Sequence, residues 1–271
     1  MSLVEGTGVK PFIKWAGGKR WLIENQQFEL PEFRGRYIEP FLGGGAVFFH
    51  VAPNSAVLSD ANASLISVYR AVRADWRRVE AELKKMQRLH CRDYYYAERS
   101  RIRRTTHTQA AQFLYLNRTC WNGLYRENLS GKFNVPIGTK TQVIMPDDNF
   151  EASSKALQNA ELIACDFEDT LSIATAGDLV FLDPPYTTAH NTNGFVKYNQ
   201  KIFSWEDQIR LRDCVEAASR RGAKIIMTNA NHKTIRDLYA SLGSPNIISR
   251  FSVISGSSAS RGQTTEALYV F

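Results

Sequence analysis

Short apolar runs that end on an acid or a glycine recur along this chain. Arg36-Tyr37-Ile38-Glu39 reads as a strand running into Gly43-Gly44-Gly45, with a helix behind it at Ala46–His50. Ala56-Val57-Leu58-Ser59 is a second apolar strand and stops at Asp60. From Leu65 to about Asn117 the pattern is mostly helical and basic. Residues 118–150 are rich in Gly, Asn and Pro and predict loops or a hairpin. Strand patterns return at Glu161–Ala164 and Asp178–Leu182. Ser204-Trp205-Glu206-Asp207 predicts a helix start in which Ser204 and the acid three residues on cap each other's backbone, and Gly222 ends that helix. Lys224–Thr228 predicts another buried strand, and strands around Arg250–Ile254 and Thr265–Phe271 flank a Gly/Ser-rich stretch, 255–262. Strands alternating with helices predict an α/β fold: a doubly wound, mostly parallel sheet with an antiparallel C-terminal hairpin.

Charge changes this picture. The 271 residues carry 34 Lys and Arg against 27 Asp and Glu, a net +7. Residues 70–140 hold sixteen basic and six acidic side chains, a net +10, and the remainder carries −3. The same stretch holds Tyr94, Tyr95, Tyr96, Phe113, Tyr115, Trp121, Tyr125 and Phe133. Two readings stay open. The stretch is a surface that neutralises phosphates and stacks on bases, or a set of amphipathic helices whose aromatics face the core.

Several classes are excluded or disfavoured. No apolar run approaches the roughly 18 residues of a membrane span. Met1–Gly6 lacks the charged and apolar regions of a signal peptide. Cys91, Cys120, Cys165 and Cys214 lie far apart, and the five histidines form no HExxH pair, so neither a disulfide frame nor a metal site is expected. A reducing, cytoplasmic setting is the expectation.

Three places carry candidate chemistry. Glu39-Pro40-Phe41-Leu42-Gly43-Gly44-Gly45 joins a strand to a helix, and Asp60 ends the next strand. Glycines at such a turn let the backbone approach a ligand, and a carboxylate so placed suits a ribose diol. The other reading is a tight turn with a helix-capping aspartate. The turn is not GxGxxG, which argues against a dinucleotide site. Lys14-Trp15-Ala16-Gly17-Gly18-Lys19-Arg20 superficially resembles a phosphate loop, but Ile13 and Arg20 break that motif. A Gly-Gly-Lys turn can still hold a carboxylate through backbone N–H groups and Lys19. Asp183-Pro184-Pro185-Tyr186 follows an apolar strand, at the edge where open α/β sheets bind ligands. Its prolines leave carbonyls to accept and no N–H after the aspartate, and Tyr186 offers a flat face. A carboxylate, carbonyls and a stacking wall suit a planar substrate bearing an amine. Acceptors holding both N–H bonds favour pyramidalisation, and the carboxylate stabilises the positive charge that grows as a methyl arrives. A proline-rich turn is the alternative.

Together these residues resemble the Dam-type bacterial and phage DNA adenine-N6 methyltransferases. The matching stretches are Phe12–Lys19 (FIKWAGGK), Glu39–Gly45 (EPFLGGG), Asp60, Phe113–Arg118 (FLYLNR), Asn122–Arg126 (NGLYR), Lys132–Gly138 (KFNVPIG), DPPY and the Gly/Ser loop before Glu266. They stand in family order and span nearly the whole chain. DPPY in place of NPPY fits methylation of a base better than of a protein glutamine.

The resemblance implies S-adenosyl-L-methionine as methyl donor, leaving S-adenosyl-L-homocysteine. It implies a catalytic domain over 1–68 and 151–271 and an inserted, mainly helical recognition domain over 69–150. Trp15, Ala16, Gly17, Lys19, Glu39, Phe41, Gly43, Asp60, Asp166, Phe167 and Asp183 are the implied donor-binding residues. Asp183, Pro184, Pro185 and Tyr186 are the implied catalytic residues, acting on an adenine flipped out of double-stranded DNA. In members that methylate GATC, the NGL-R stretch reads sequence. By resemblance Arg126 meets guanine O6/N7, Leu124 and Pro136 touch the thymine methyl, Lys14 reaches the outer guanine, Trp121 intercalates and Asn122 meets the orphaned base. Arg99, Arg118, Asn128 and Asn134 are the implied phosphate contacts. Thr139-Lys140-Thr141 and Ser130 stand where some relatives are more basic. No membrane or metal partner is implied, a cognate restriction endonuclease acting independently is compatible, and a monomer is expected. The alternatives are an adenine methylase of another DNA site or of RNA, and a catalytically silent DNA-binding relative.

Overall fold

The apolar runs become the strands of one sheet. The computed structural model describes residues 9–24, 30–123, 125–126, 128, 133–187, 203–251 and 263–271. The strands are Tyr37–Glu39 (β1), Ala56–Asp60 (β2), Ala160–Ala164 (β3), Leu179–Leu182 (β4), Lys224–Ala230 (β5), Asn246–Phe251 (β6) and Gln263–Val270 (β7). Their order in the sheet is β3-β2-β1-β4-β5-β7-β6. β1 runs parallel to β2 and β4, and β4 to β5. All of β1 and β4 is buried, as are Val57, Leu58 and Ile225–Met227. Unbroken apolar runs of this kind fit strands covered on both faces. The order reverses direction at β1 and β4, the place where doubly wound sheets open a crevice at their carboxyl ends.

β7 is antiparallel to both its neighbours, β5 and β6. The expected C-terminal hairpin is therefore present, with β6 starting earlier than the sequence pattern marks it, at Asn246. The reason is exposure: β6 is an edge strand and Ile247 is 48% exposed, so its pattern is not that of a buried run. Residues 252–254 of the expected strand lie outside the described residues.

The helices are Arg20–Glu24 (α1), Ala46–Val51 (α2), Ala63–Leu89 (α3), Arg92–Ser100 (α4), Thr106–Thr119 (α5), Phe150–Leu157 (α6), Phe167–Ser172 (α7), Trp205–Arg220 (α8) and Lys233–Tyr239 (α9). Ser204 opens α8 as its sequence predicts: Asp207 N–H donates to Ser204 Oγ at 3.1 Å, and Ser204 N–H donates to Asp207 Oδ2 at 2.8 Å. Gly222, at φ 89°, turns the chain out of that helix. The basic middle is not one helix. α3 breaks at Asp75, where φ is −156°, and the Asp75 carboxylate accepts from Arg78 N–H to start the second half. Among the described residues no helix is long and apolar enough to cross a membrane.

The chain packs into two compact units. One comprises Met1–Gln26, Leu42–Asn54 and Asp60–Ala164; the other comprises Gln27–Phe41, Ser55–Ser59 and Cys165–Phe271. These units are groupings by packing, not by role. In the first, α3 and α5 lie together and bury Leu83, Met86, Ala111, Leu114 and Tyr115. The core reading of the basic middle thus holds for Tyr95 and Tyr115, both fully buried, while Trp121 stays 53% exposed.

Candidate active site

In the second unit, two acids leave the sheet at neighbouring strand ends. Glu39 closes β1 and Asp183 follows β4. Glu39 is buried and accepts from the Tyr37 hydroxyl at 2.8 Å. Asp183 Oδ1 accepts from the Thr228 hydroxyl at 2.9 Å. Pro184 is buried, and Asp183, Pro185 and Tyr186 are half-buried. The Tyr186 hydroxyl donates to Glu266 Oε2 at 2.6 Å. Burial, and after it the Asp183 and Glu266 carboxylates, push the Tyr186 phenol well above its ordinary range. The ring therefore stays neutral, with its hydroxyl committed as a donor.

The same unit builds an aromatic wall. Phe41 stacks on Phe167 at 5.4 Å, and Phe203 meets both rings at 5.7 and 5.6 Å. Asp166 caps α7, its Oδ1 accepting from Glu168 N–H at 2.9 Å. Arg210 ties Asp166, Glu168 and Asp207 together and lies 4.8 Å over the Phe167 ring.

The first unit holds the glycine turn. Asp60 accepts from Gly43 N–H at 3.0 Å on Oδ2 and from Asn62 N–H at 2.9 Å on Oδ1. Burial raises the Asp60 carboxyl above its ordinary range, and those two N–H bonds pull against that rise. Gly43 stands at φ 47°, and a Cβ there would come within 2.7 Å of Trp15 Cδ1. The close approach that this glycine allows is thus first of all to Trp15. Tyr69 donates to the Gly43 carbonyl at 2.9 Å from behind. Lys19 is buried, and its ammonium donates to the Gly17 carbonyl at 2.8 Å. Gly17 is needed for its backbone, at φ 81°, since the space around a Cβ is open. Ala16 is exposed at the same turn.

The expected recognition residues lie in the same unit as Trp15. Trp15 stacks near Phe113 and Tyr125, which are 4.1 Å apart, and Tyr125 continues to Phe133 at 5.0 Å. Asn117 clamps Lys14 from both sides, accepting from its N–H at 3.1 Å and donating to its carbonyl at 2.7 Å. Lys14 Nζ donates to the Asn122 carbonyl at 2.8 Å. Burial, and then Lys140, lower the Lys14 ammonium below its ordinary range. Trp121 is held outward by its backbone: its N–H donates to the Pro136 carbonyl at 2.9 Å beside the Cys120–Ile137 bridge. A Cβ on Gly138 would sit 2.5 Å from the Cys120 carbonyl, so only glycine closes that bridge. Asn122 itself adopts φ 56°. Arg126 is exposed and donates from Nε to Asn134 Oδ1 at 3.2 Å. Asn128, Asn134 and Pro136 are exposed. Arg99 is half-buried, donates to the Val135 carbonyl and lies over Tyr96. Leu124, Lys132 and the stretch 255–262 lie outside the described residues.

Arg118 is placed otherwise than a phosphate contact requires. Its guanidinium is buried against Asp148 in a two-pronged pair at 2.6 and 2.7 Å, and it also donates to the Val143 and Phe12 carbonyls. With its side chain 2% exposed, it is a structural clamp rather than the phosphate contact that the resemblance implies.

Residues 15–255 match the family model of the D12 class N6 adenine-specific DNA methyltransferases. The chain belongs to this family. It is 36% identical over 269 residues to a type II methyltransferase of Lactococcus lactis subsp. cremoris, covering 96% of this chain and 94% of that one. It is 36% identical over 244 residues to a type II methyltransferase of Methanocaldococcus jannaschii, covering 82% and 84%. It is 32% identical over 234 residues to the DNA adenine methylase of Escherichia coli, covering 85% and 84%. For this adenine-N6 DNA methyltransferase, the sequence patterns assign no role to Thr228 and Glu266, the partners of Asp183 and Tyr186. The available signal is a polar side chain interrupting a buried run. Thr228 follows Ile225-Ile226-Met227, and Glu266 precedes Ala267-Leu268-Tyr269.

Proposed function

We propose that this methyltransferase moves a methyl group from S-adenosyl-L-methionine to N6 of an adenine turned out of duplex DNA, within GATC. The observation that carries the reading is the pairing of the Asp183 carboxylate with a neutral, hydroxyl-anchored Tyr186 ring across two fixed prolines. Asp183 and the Pro184 carbonyl each take one N6–H, which draws the nitrogen lone pair out of the ring. Asp183 then stabilises the positive charge that grows on N6 until one N6 proton passes to solvent. Tyr186 supplies the stacking face for the extruded base.

The donor set suits a zwitterionic nucleoside. The buried Lys19 ammonium and its glycine turn match a carboxylate. Asp60, fixed by two backbone N–H groups, keeps lone pairs for a ribose diol. The Phe41–Phe167 wall beside Asp166 matches an adenine ring. Trp15, Ala16, Gly17, Glu39 and Gly43 complete the donor-binding set. S-adenosyl-L-methionine supplies an electrophilic methyl on its sulfonium when bound. Because burial raises Asp60, this carboxylate takes up a proton at a higher pH than an ordinary one as acidity increases. Protonation removes acceptor capacity, so donor affinity falls as pH drops, starting above the range of an ordinary carboxylate. Calorimetric titration of the donor should show that acid limb in the wild type and lose it in Asp60→Asn; a limb unchanged in the variant refutes the assignment.

We assign 69–150 to DNA reading, together with Lys14, and 1–68 with 151–271 to chemistry. Arg126 is the base-reading cation, Trp121 and Asn122 fill the gap left by the adenine, and Leu124 and Pro136 meet the thymine methyl. Arg99, Asn128 and Asn134 contact phosphates. Arg126→Ala should cost about 1–3 kcal/mol of discrimination at one guanine. Labelled-methyl transfer to a GATC duplex and its single-base variants measures this. An unchanged preference would remove Arg126 from that role.

A further inference from the structure

The working groups of Asp183-Pro184-Pro185-Tyr186 are also held from outside the tetrapeptide. Its prolines fix the backbone, yet the Asp183 carboxylate and the Tyr186 ring still turn about their side-chain bonds. What holds them comes from two other strands of the same unit. Thr228, fully buried on β5, donates to Asp183 Oδ1 at 2.9 Å. Glu266, buried on β7, accepts from the Tyr186 hydroxyl at 2.6 Å across 80 positions of sequence.

A buried carboxylate on a central strand is costly, and an apolar residue is the expected occupant there. A short bond from a phenol to a carboxylate is among the stronger hydrogen bonds and offsets part of that cost. The topology explains how it is delivered. Glu266 lies opposite Ala230 in the β5–β7 ladder, with Leu268 opposite Thr228. Because β7 runs antiparallel to β5, the early part of β7 reaches the carboxyl edge of β5. A parallel strand in that place would bring its late residues instead.

We propose that Glu266 and Thr228 are positioning residues of the adenine site. Glu266 fixes the plane of the Tyr186 ring through its hydroxyl, and Thr228 fixes the Asp183 carboxylate through Oδ1. This rests on the reading of Asp183 and Tyr186 as the adenine-binding pair. Displacing a reacting group by about 1 Å costs up to about 10²-fold in rate.

Single-turnover methyl transfer to a GATC duplex, with donor and DNA saturating, tests this. Glu266→Ala and Tyr186→Phe should each slow the methyl-transfer step by about ten- to a hundredfold, while the dissociation constants for donor and DNA stay near wild type. The double variant should fall no further than the slower single variant, because the Tyr186–Glu266 bond is already gone in each. Glu266→Gln, which can still accept from the phenol, should recover most of the rate. Thr228→Val should slow the same step, and Thr228→Ser should restore it. A wild-type rate in Glu266→Ala, or losses that multiply in the double variant, would overturn the role of Glu266. Should Glu266→Ala not fold, a Gln variant as slow as Tyr186→Phe would overturn it equally. Asp183→Ala is run alongside: a normal rate there would refute the adenine-site reading itself, independently of the Glu266 result.

Discussion

Asp183→Ala should abolish methyl transfer while donor and DNA binding largely persist. In the proposed mechanism the carboxylate does two things that alanine cannot: it accepts from an N6–H and it faces the charge that develops on nitrogen. Removing one well-placed stabilising group from a reacting centre costs about 10²–10³-fold. In the proposed mechanism the same residue also orients the amine, so the loss should reach at least the upper end of that range. Thr228, whose hydroxyl donates to Asp183, loses an acceptor at the same time. The proposed donor and DNA sites draw on many other residues, so affinity should survive. Transfer of a labelled methyl measures the rate, and filter binding or calorimetry measures the rest. Near-normal transfer by the variant would show that the chemistry lies elsewhere.

The second large effect concerns stability. Asp148→Ala should cost about 3–5 kcal/mol, because it strands the Arg118 guanidinium inside the protein. The two side chains are only 2% and 6% exposed, and both prongs of the pair are short. The same guanidinium ties down the carbonyls of Phe12 and Val143, so three stretches of chain lose a common anchor. The double variant Arg118→Met with Asp148→Leu should be milder, since no buried charge remains without a partner. Urea unfolding of the three proteins decides this. An Asp148→Ala variant within about 0.5 kcal/mol of wild type would mark the pair as surface-like.

Much of the fold is legible in the sequence because β1, β2 and β4 are largely apolar and end on or beside distinctive residues. Leu179–Leu182 before Asp183, Tyr37-Ile38 before Glu39 and Ala56–Ser59 before Asp60 each announce a strand and its working end. Ser204 with Asp207 announces a helix start by local chemistry alone. What the sequence hides is pairing at a distance. Glu266 gains meaning only once β7 is known to lie antiparallel between β5 and β6. Arg118 looks like one more cation in a basic stretch, and its partner Asp148 lies thirty positions on. Arg70 and Arg73 similarly donate to the Leu162 and Ala160 carbonyls of β3. Part of the net +10 of residues 70–140 therefore serves packing. Short helices such as α6 and α7 rest on caps, Asn149 and Asp166, with too few turns to show a period.

The most direct test of the proposed function is genomic. The wild-type protein and Asp183→Ala are expressed in a host lacking adenine methylation, and the DNA is cut with enzymes that sense the methyl state of GATC. The wild type should protect GATC sites, and the variant should leave them unmethylated. GATC sites left unprotected by the wild type, or protected equally by Asp183→Ala, would contradict the reading.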